Sequence, residues 1–249
     1  MIQKVKGVVL HHVKYKESSA IVYVYTDLFG RQAYLVNSIR GKKSKFSGNL
    51  LQPLTFLKIE AYHKEGRDLQ RLKEMQNYLP YRTIPFDVYK SSQALFLAEL
   101  LYKVLREEDP SKDLFGFLEH SLQLLDISDE GMVNFHLLFL VQLTKFLGFY
   151  PENNYSRDFS GFDMRNGQFS NGSGIHPEYF DKGSAKLMNS LLGLSFSGLG
   201  QVTVNQDVRV KFLEDIVDFY RLHIHGFGTL KSLAVLHEIY REDEEIRNE

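Results

Sequence analysis

Between Asn37 and Leu50 the chain reads NSIRGKKSKFSGNL. Arg40, Lys42, Lys43 and Lys45 stand there with no acid among them. Gly41 and Gly48 give the segment the backbone freedom to conform to a target. Four cations so close together suit the neutralisation of a row of phosphates. Lys14, Lys16, Arg31 (just after the turn at Gly30), Arg67 and Arg71 extend the basic set. Aromatic residues are interleaved with it: Tyr15, Tyr23, Tyr25, Phe29, Tyr34, Phe46, Phe56 and Tyr62. Cations that track a phosphate backbone, beside ring faces on which bases stack, are what single-strand binders use. The plain alternative is a solvated surface, with Lys blunting strand edges and several of the rings in the core. The one-sidedness of the charge weighs against it. Residues 1–80 hold fourteen bases and six acids, a net of +8, while the whole chain of 249 residues carries −1, which leaves −9 for the remainder. Such a split points to two parts with different partners.

Other chemistries find less support. His11 and His12 are neighbours in an expected strand, point to opposite faces and cannot share a metal. His223 and His225 diverge on an expected helix. There is no H-E-x-x-H, no His/Asp cluster and no serine elbow. The pairs Glu107-Glu108 and Glu244-Glu245 fall at expected helix ends, where solvated charge is ordinary. The Gly226–Gly228 stretch, GFG, lacks the preceding strand that a phosphate cradle needs and reads as a helix cap and turn. Cysteine is absent, which excludes disulfides, thiolate metal sites and cysteine nucleophiles. No metal and no cofactor is expected, and no enzyme. The N-terminus has no signal-peptide pattern. No apolar run nears the roughly 18 residues of a membrane span. The expectation is a soluble cytoplasmic protein.

The basic residues need a scaffold. Val5–Val13, Ala20–Thr26, Gln32–Ser38, Leu51–Ala61 and Leu69–Met75 are short, rich in Val, Ile, Tyr and Phe, and partly alternating, which predicts five strands. The breaks ESS, DLFGR, RGKKSKFSGN and HKEGRD are turn-like, and Glu65-Gly66 predicts a tight hairpin. Five strands in so short a span fit an OB-fold. After Pro80 and Pro85 the pattern turns helical. One helix is expected through residues 86–109, stopping at Asp109-Pro110, and another follows with Ser111 as its N-cap. MVNFHLLFLVQLTKFLGF is apolar on nearly all sides and predicts a central buried helix capped by Gly148. Residues 150–182 are polar and aperiodic, an irregular insertion with one hairpin turning at Asn166-Gly167. Three helical segments follow, ending in a frayed EDEEIRNE. The fold class is therefore α+β: a nucleic-acid-binding OB barrel over residues 1–80, then a helical domain over 81–249 that carries the insertion.

These segments, in this order, resemble the RecO family of bacterial recombination mediators. The residues that carry the resemblance are GVVLHHVKYKESSAIVYVYTDLFGR, RGKKSKFSGNLLQPLTFLKIEAY, LQRLKEM, PYRTIPFDVYKSSQALFLAELL, KFLGFYPENN and RLHIHGFGTLKSLAVL. The resemblance spans essentially the whole chain. It implies an OB-fold followed by a helical domain, binding of single- and double-stranded DNA, and annealing of complementary strands. It further implies partnership with RecR, contact with the C-terminal tail of single-strand binding protein, and loading of RecA. Many relatives hold zinc with two Cys-x-x-Cys pairs after the G-F-x-P corner. Here YSRDFSGFDMRNGQFSNGSGIHP has no cysteine, and His176 alone cannot replace four thiolates. Packing or the hairpin is expected to hold that loop.

An acidic tail with an apolar end needs an apolar pocket with a basic rim. Arg209, Lys211, Arg221 and Lys231 for the rim, with Phe212, Phe219, Tyr220 and Leu233 for the pocket, are the candidates. The bland alternative is that these rings are core. From a different class, an adaptor whose OB-like module binds a protein would make the basic face incidental. A metal-dependent nuclease lacks any ligand set in the sequence.

Overall fold

The computed structural model describes residues 1–37, 48–106, 109–171 and 176–248, the stretch 242–248 by backbone only. Two compact units divide the chain, Met1–Asp126 with Leu230–Glu249, and Ile127–Thr229.

The first unit opens with five strands, β1 (Ile2–Lys16), β2 (Ser19–Thr26), β3 (Gly30–Asn37), β4 (Phe56–Tyr62) and β5 (Gln70–Leu79). They close into an OB-like barrel of order β1-β2-β3-β5-β4. All pairings are antiparallel except β3 with β5, where Tyr34 meets Gln70 and Leu35 meets Arg71. The inward set Val5, Val9, Val22, Val24, Tyr34, Ile59 and Leu72 fills the interior, the alternation a sheet buried on one face requires. Gly7 marks the tightest approach. A Cβ there would stand 2.4 Å from Val24 Cγ1.

β1 is longer at both ends than its apolar pattern, because the polar residues Gln3, Lys4, Lys14 and Lys16 interrupt the alternation. Register shifts between Val9 and His11 and between Lys14 and Lys16 let so long a strand bend around the barrel. β5 likewise continues past Met75 through polar Gln76 and Asn77. The Glu65-Gly66 hairpin is not tight. β4 and β5 are joined by residues 63–69, with Gly66 at φ +72°. Gln70 sets that shape: its side chain bonds the backbone of Lys64 and Arg67.

Helices α1 (Val88–Val104), α2 (Lys112–Ile127) and α6 (Ser232–Asn248) follow. Asp87 caps α1 by accepting from the backbone N–H groups of Tyr89 and Lys90. Ser111 Oγ accepts from Leu114 N at 3.2 Å at the start of α2. The buried Asp126 carboxylate accepts from the N–H groups of Arg82, Thr83 and Ile84. Burial pushes its pKa up, but those donors outweigh burial and hold it below the usual value. α1 ends at Val104, short of Asp109-Pro110, for a reason given below. α6 runs on through 242–248, within the EDEEIRNE stretch whose sequence suggests fraying.

In the second unit, α3 (Phe135–Leu147) is the central helix, and Leu137 to Val141 are each wholly buried. Gly148 caps it at φ +83°. The polar segment after it forms β6 (Gly161–Asp163), β7 (Gln168–Ser170) and β8 (Tyr179–Phe180), a small sheet of order β7-β6-β8. The β6–β7 hairpin turns through Asn166 and Gly167, the latter at φ +64°. α4 (Lys182–Leu191) and α5 (Gln206–His223) complete the unit. Asp181 and Asn205 cap them. No helix among the described residues is long and apolar enough to cross a membrane.

Candidate nucleic-acid interface

Strand register decides which basic residues meet. Val13 pairs with Ile21, Ile21 with Leu35, and Leu35 with Arg71. These four residues form one row across β1, β2, β3 and β5, with neighbouring strands about 4.8 Å apart. Lys14 follows Val13 on β1, and Lys16 pairs with Ser19 beside the β1–β2 turn. Ser19 Oγ donates to Asn37 Oδ1 at 3.0 Å, where β3 ends. One end of the barrel thus gathers Lys14, Lys16 and Arg71 with the point from which the basic segment departs. Arg40, Lys42, Lys43, Lys45 and Phe46 themselves lie outside the described residues. Residues 11–18 are all exposed, and the β1–β4 pairing stops at Val8. Tyr15, half exposed, lies under Lys16 Nζ at 5.6 Å.

Arg31 is elsewhere. It pairs with Tyr25, four residues along β3 from Leu35 and so about 13 Å away. Its guanidinium lies over the rings of Tyr23 and Tyr102, 5.2 and 4.5 Å from their centroids. Nη1 donates to the carbonyls of Tyr102 and Leu105. Those carbonyls end α1, and a cation there satisfies acceptors that a helix terminus leaves free. This is why α1 stops where it does. The signal is tertiary, and nothing local to residues 101–106 carries it. His11 joins the same ring cluster, 4.7 Å from Tyr102, and burial, then His12, lowers its pKa.

Two acids near the β1–β4 seam hold lysines in ion pairs. Glu60 lies 2.9 Å from both Lys73 and Lys4, whose hydrogen bonds bring its pKa down to about 2. Lys6 reaches Glu119 at 3.5 Å. Arg67 is exposed on the β4–β5 connection. Of the interleaved aromatics, Tyr25, Tyr34 and Phe56 are core, Phe29 is half-buried, and Tyr15 and Tyr62 are about half exposed.

The candidate tail receptor is distributed differently from its sequence pattern. Phe212, Phe219 and Tyr220 are wholly buried, and the Tyr220 hydroxyl donates to the Leu140 carbonyl. They fill the interior of the second unit. Arg209 bonds Asn134 Oδ1 and the Val204 carbonyl. Lys211 pairs with Asp215 at 2.5 Å, and Arg221 with Asp218. Lys231 and Leu233 belong to the first unit. There Glu99 accepts from Lys231 N, Ser232 N and Ser232 Oγ, capping α6.

The insertion is held by a polar cluster on an aromatic base. Asp163 accepts from Arg165 N and Asn166 N, from the Asn166 amide at 2.7 Å and from the Tyr179 hydroxyl at 3.3 Å. His176 stacks on Tyr179 and lies 3.5 Å from Asp163 and 3.2 Å from Glu178, which also pairs with Arg165. Phe162 packs against Phe169, Phe180 and Phe219 beneath. Among the described residues no group of His, Cys, Asp and Glu is arranged to hold a metal. One imidazole and two engaged carboxylates do not fit the thiolate zinc site of other relatives.

Comparison with known proteins agrees with this architecture. The family described as "Recombination protein O N terminal" matches residues 1–80, and "Recombination protein O C terminal" matches residues 85–234. A "DNA repair protein RecO" of Phocaeicola vulgatus is 40% identical over 240 residues, covering 96% of this chain and 100% of the relative. Proteins of the same description from Bacteroides fragilis and Porphyromonas gingivalis are 39% and 31% identical, again over 96% of this chain and 100% of each relative. The barrel, the helical region that follows it in sequence and these matches together place the chain in the RecO family of DNA repair and recombination proteins.

Proposed function

We propose that this chain is a recombination mediator. It binds single- and double-stranded DNA, anneals complementary strands and, with RecR, helps load RecA onto DNA coated by single-strand binding protein. The observation that supports this most is the register that gathers Lys14, Lys16, Arg71 and the root of the basic segment at one barrel end. The segment's four cations would extend that end into a phosphate-binding surface, while Arg67 lies beside the β2–β3 turn, away from it.

The mechanism is electrostatic. Two strands that approach each other repel through their phosphates. Cations that neutralise several phosphates on each strand remove much of that repulsion and release counterions. Base pairing then proceeds with no bond made or broken by the protein, so the role is not enzymatic. The site of action is the cytoplasm, at the nucleoid, and the helical part receives the tail of single-strand binding protein.

The test is annealing of two complementary labelled oligonucleotides, one coated with single-strand binding protein. The chain accelerates pairing at low salt and loses the effect as salt rises. An adaptor that binds protein alone leaves the uncatalysed rate unchanged.

A further inference from the structure

A cleft of about 450 Å3 opens where the β2–β3 turn meets the β4–β5 connection. Its lining includes Leu28, Phe29, His63, Lys64 and Arg67, with Glu65 as the acid among them. Two nearly buried glutamines set its shape. Gln32 Nε2 donates to the Phe29 carbonyl at 3.1 Å. Gln70 accepts from Lys64 N and donates to the carbonyls of Lys64 and Arg67. The loops that carry the cations are therefore braced by the barrel before any ligand arrives.

Phe29 rests on the barrel core and stacks with His63, centroids 3.9 Å apart and planes 13° from parallel. His63 Nδ1 is buried with no hydrogen-bond partner among the described residues. Leu28 is 44% exposed at the rim. Lys64 and Arg67 are exposed, and neither forms an ion pair among the described residues. A stacked ring pair accepts any base, because every base has a π-face, while nearby cations meet its phosphate.

We propose that this cleft holds one nucleotide of a single DNA strand, its base continuing the Phe29–His63 stack and its phosphate facing Lys64 and Arg67. The proposal rests on the DNA-binding reading and adds a base-dependent contact to what is otherwise a charge-driven surface. A free nucleotide offers the same chemistry. The strand is favoured because the cleft adjoins the barrel strand that carries Arg71.

The test compares a labelled oligonucleotide with one of equal length and charge made of abasic residues, by fluorescence anisotropy. Wild type prefers the base-bearing strand by about fivefold or more. In His63→Ala that preference falls toward one while affinity for the abasic strand is unchanged. His63→Phe, which keeps a stacking surface, retains the preference. A preference that survives His63→Ala, or that is absent in wild type, overturns the cleft assignment and leaves salt-dependent DNA binding standing. Failure of wild type to bind either strand overturns both. Deoxynucleoside monophosphate that binds as tightly as the strand overturns the strand assignment in favour of a free nucleotide.

Discussion

Leu35 on β3 stands opposite Arg71 on β5 in the parallel pairing that closes the barrel. That pairing carries a residue from the last barrel strand to the end where β1 turns into β2. Without it, Arg71 would be remote from the barrel end that carries Lys14 and Lys16.

The proposed function makes Lys14, Lys16 and Arg71 phosphate contacts. Replacing each with alanine flattens the dependence of log affinity on log salt by about 0.7 per residue for a single strand. The three together give close to the sum, because they contact separate phosphates. A salt titration of the single and triple variants checks this, and an unchanged slope removes the residue concerned from the interface.

Arg31 supports the fold in addition to any contact with DNA. Its hydrogen bonds to Tyr102 and Leu105 are charge-assisted, and losing them in Arg31→Ala costs about 1.5–3 kcal/mol. Urea unfolding measures that cost. A variant that unfolds at the wild-type midpoint shows that the guanidinium does not hold the end of α1. Binding to DNA in the same variant reports separately on the phosphate role.

Asp163 ties the stability of the insertion to pH. Burial pushes its pKa up, but Asn166, Arg165 and His176 outweigh burial and hold it below the usual carboxylate value. A carboxylate with a lowered folded pKa contributes stability that is complete above its unfolded pKa, about 3.9, and is lost as pH falls through the folded value. Wild type is therefore more stable than Asp163→Ala at neutral pH by about 1–3 kcal/mol. Most of that difference disappears once pH has fallen below the folded pKa of Asp163. Thermal melts of both proteins across this range make the comparison, and a constant difference contradicts it.

For the tail of single-strand binding protein, Lys211 and Arg221 remain the exposed charges to test. Their charge reversals, Lys211→Glu and Arg221→Glu, weaken binding of a tail peptide if the rim assignment holds. Unchanged binding in both ends it. Phe219→Ala is a poor probe, because removing a wholly buried ring costs about 3–5 kcal/mol and disturbs the unit as a whole.

Much of the barrel was legible in the sequence because its inward residues alternate and its turns carry Gly, Asn and charged pairs. α3 was legible from its all-round apolar character, and its cap from Gly148. The ends of β1 were not, since outward lysines hide the period. The stop of α1 at Val104 was not, since it depends on Arg31, seventy residues earlier. Composition identified Phe212 and Phe219 as apolar helix residues, but whether such a ring lines a pocket or fills a core is decided by what packs on it. His63 was passed over because an isolated histidine carries no motif; its stack on Phe29 exists only once two loops meet.

Salt-dependent binding of a labelled single-stranded oligonucleotide, read by anisotropy across a salt series, tests the DNA-binding role most directly. With about five phosphates neutralised, log affinity falls with log salt at a slope of about −3.5, and charge reversal at Lys42, Lys43 and Lys45 makes binding weaker and the slope shallower. Equal binding by that variant removes the basic segment from the interface, and no binding by the wild type at low salt contradicts the DNA-binding reading itself.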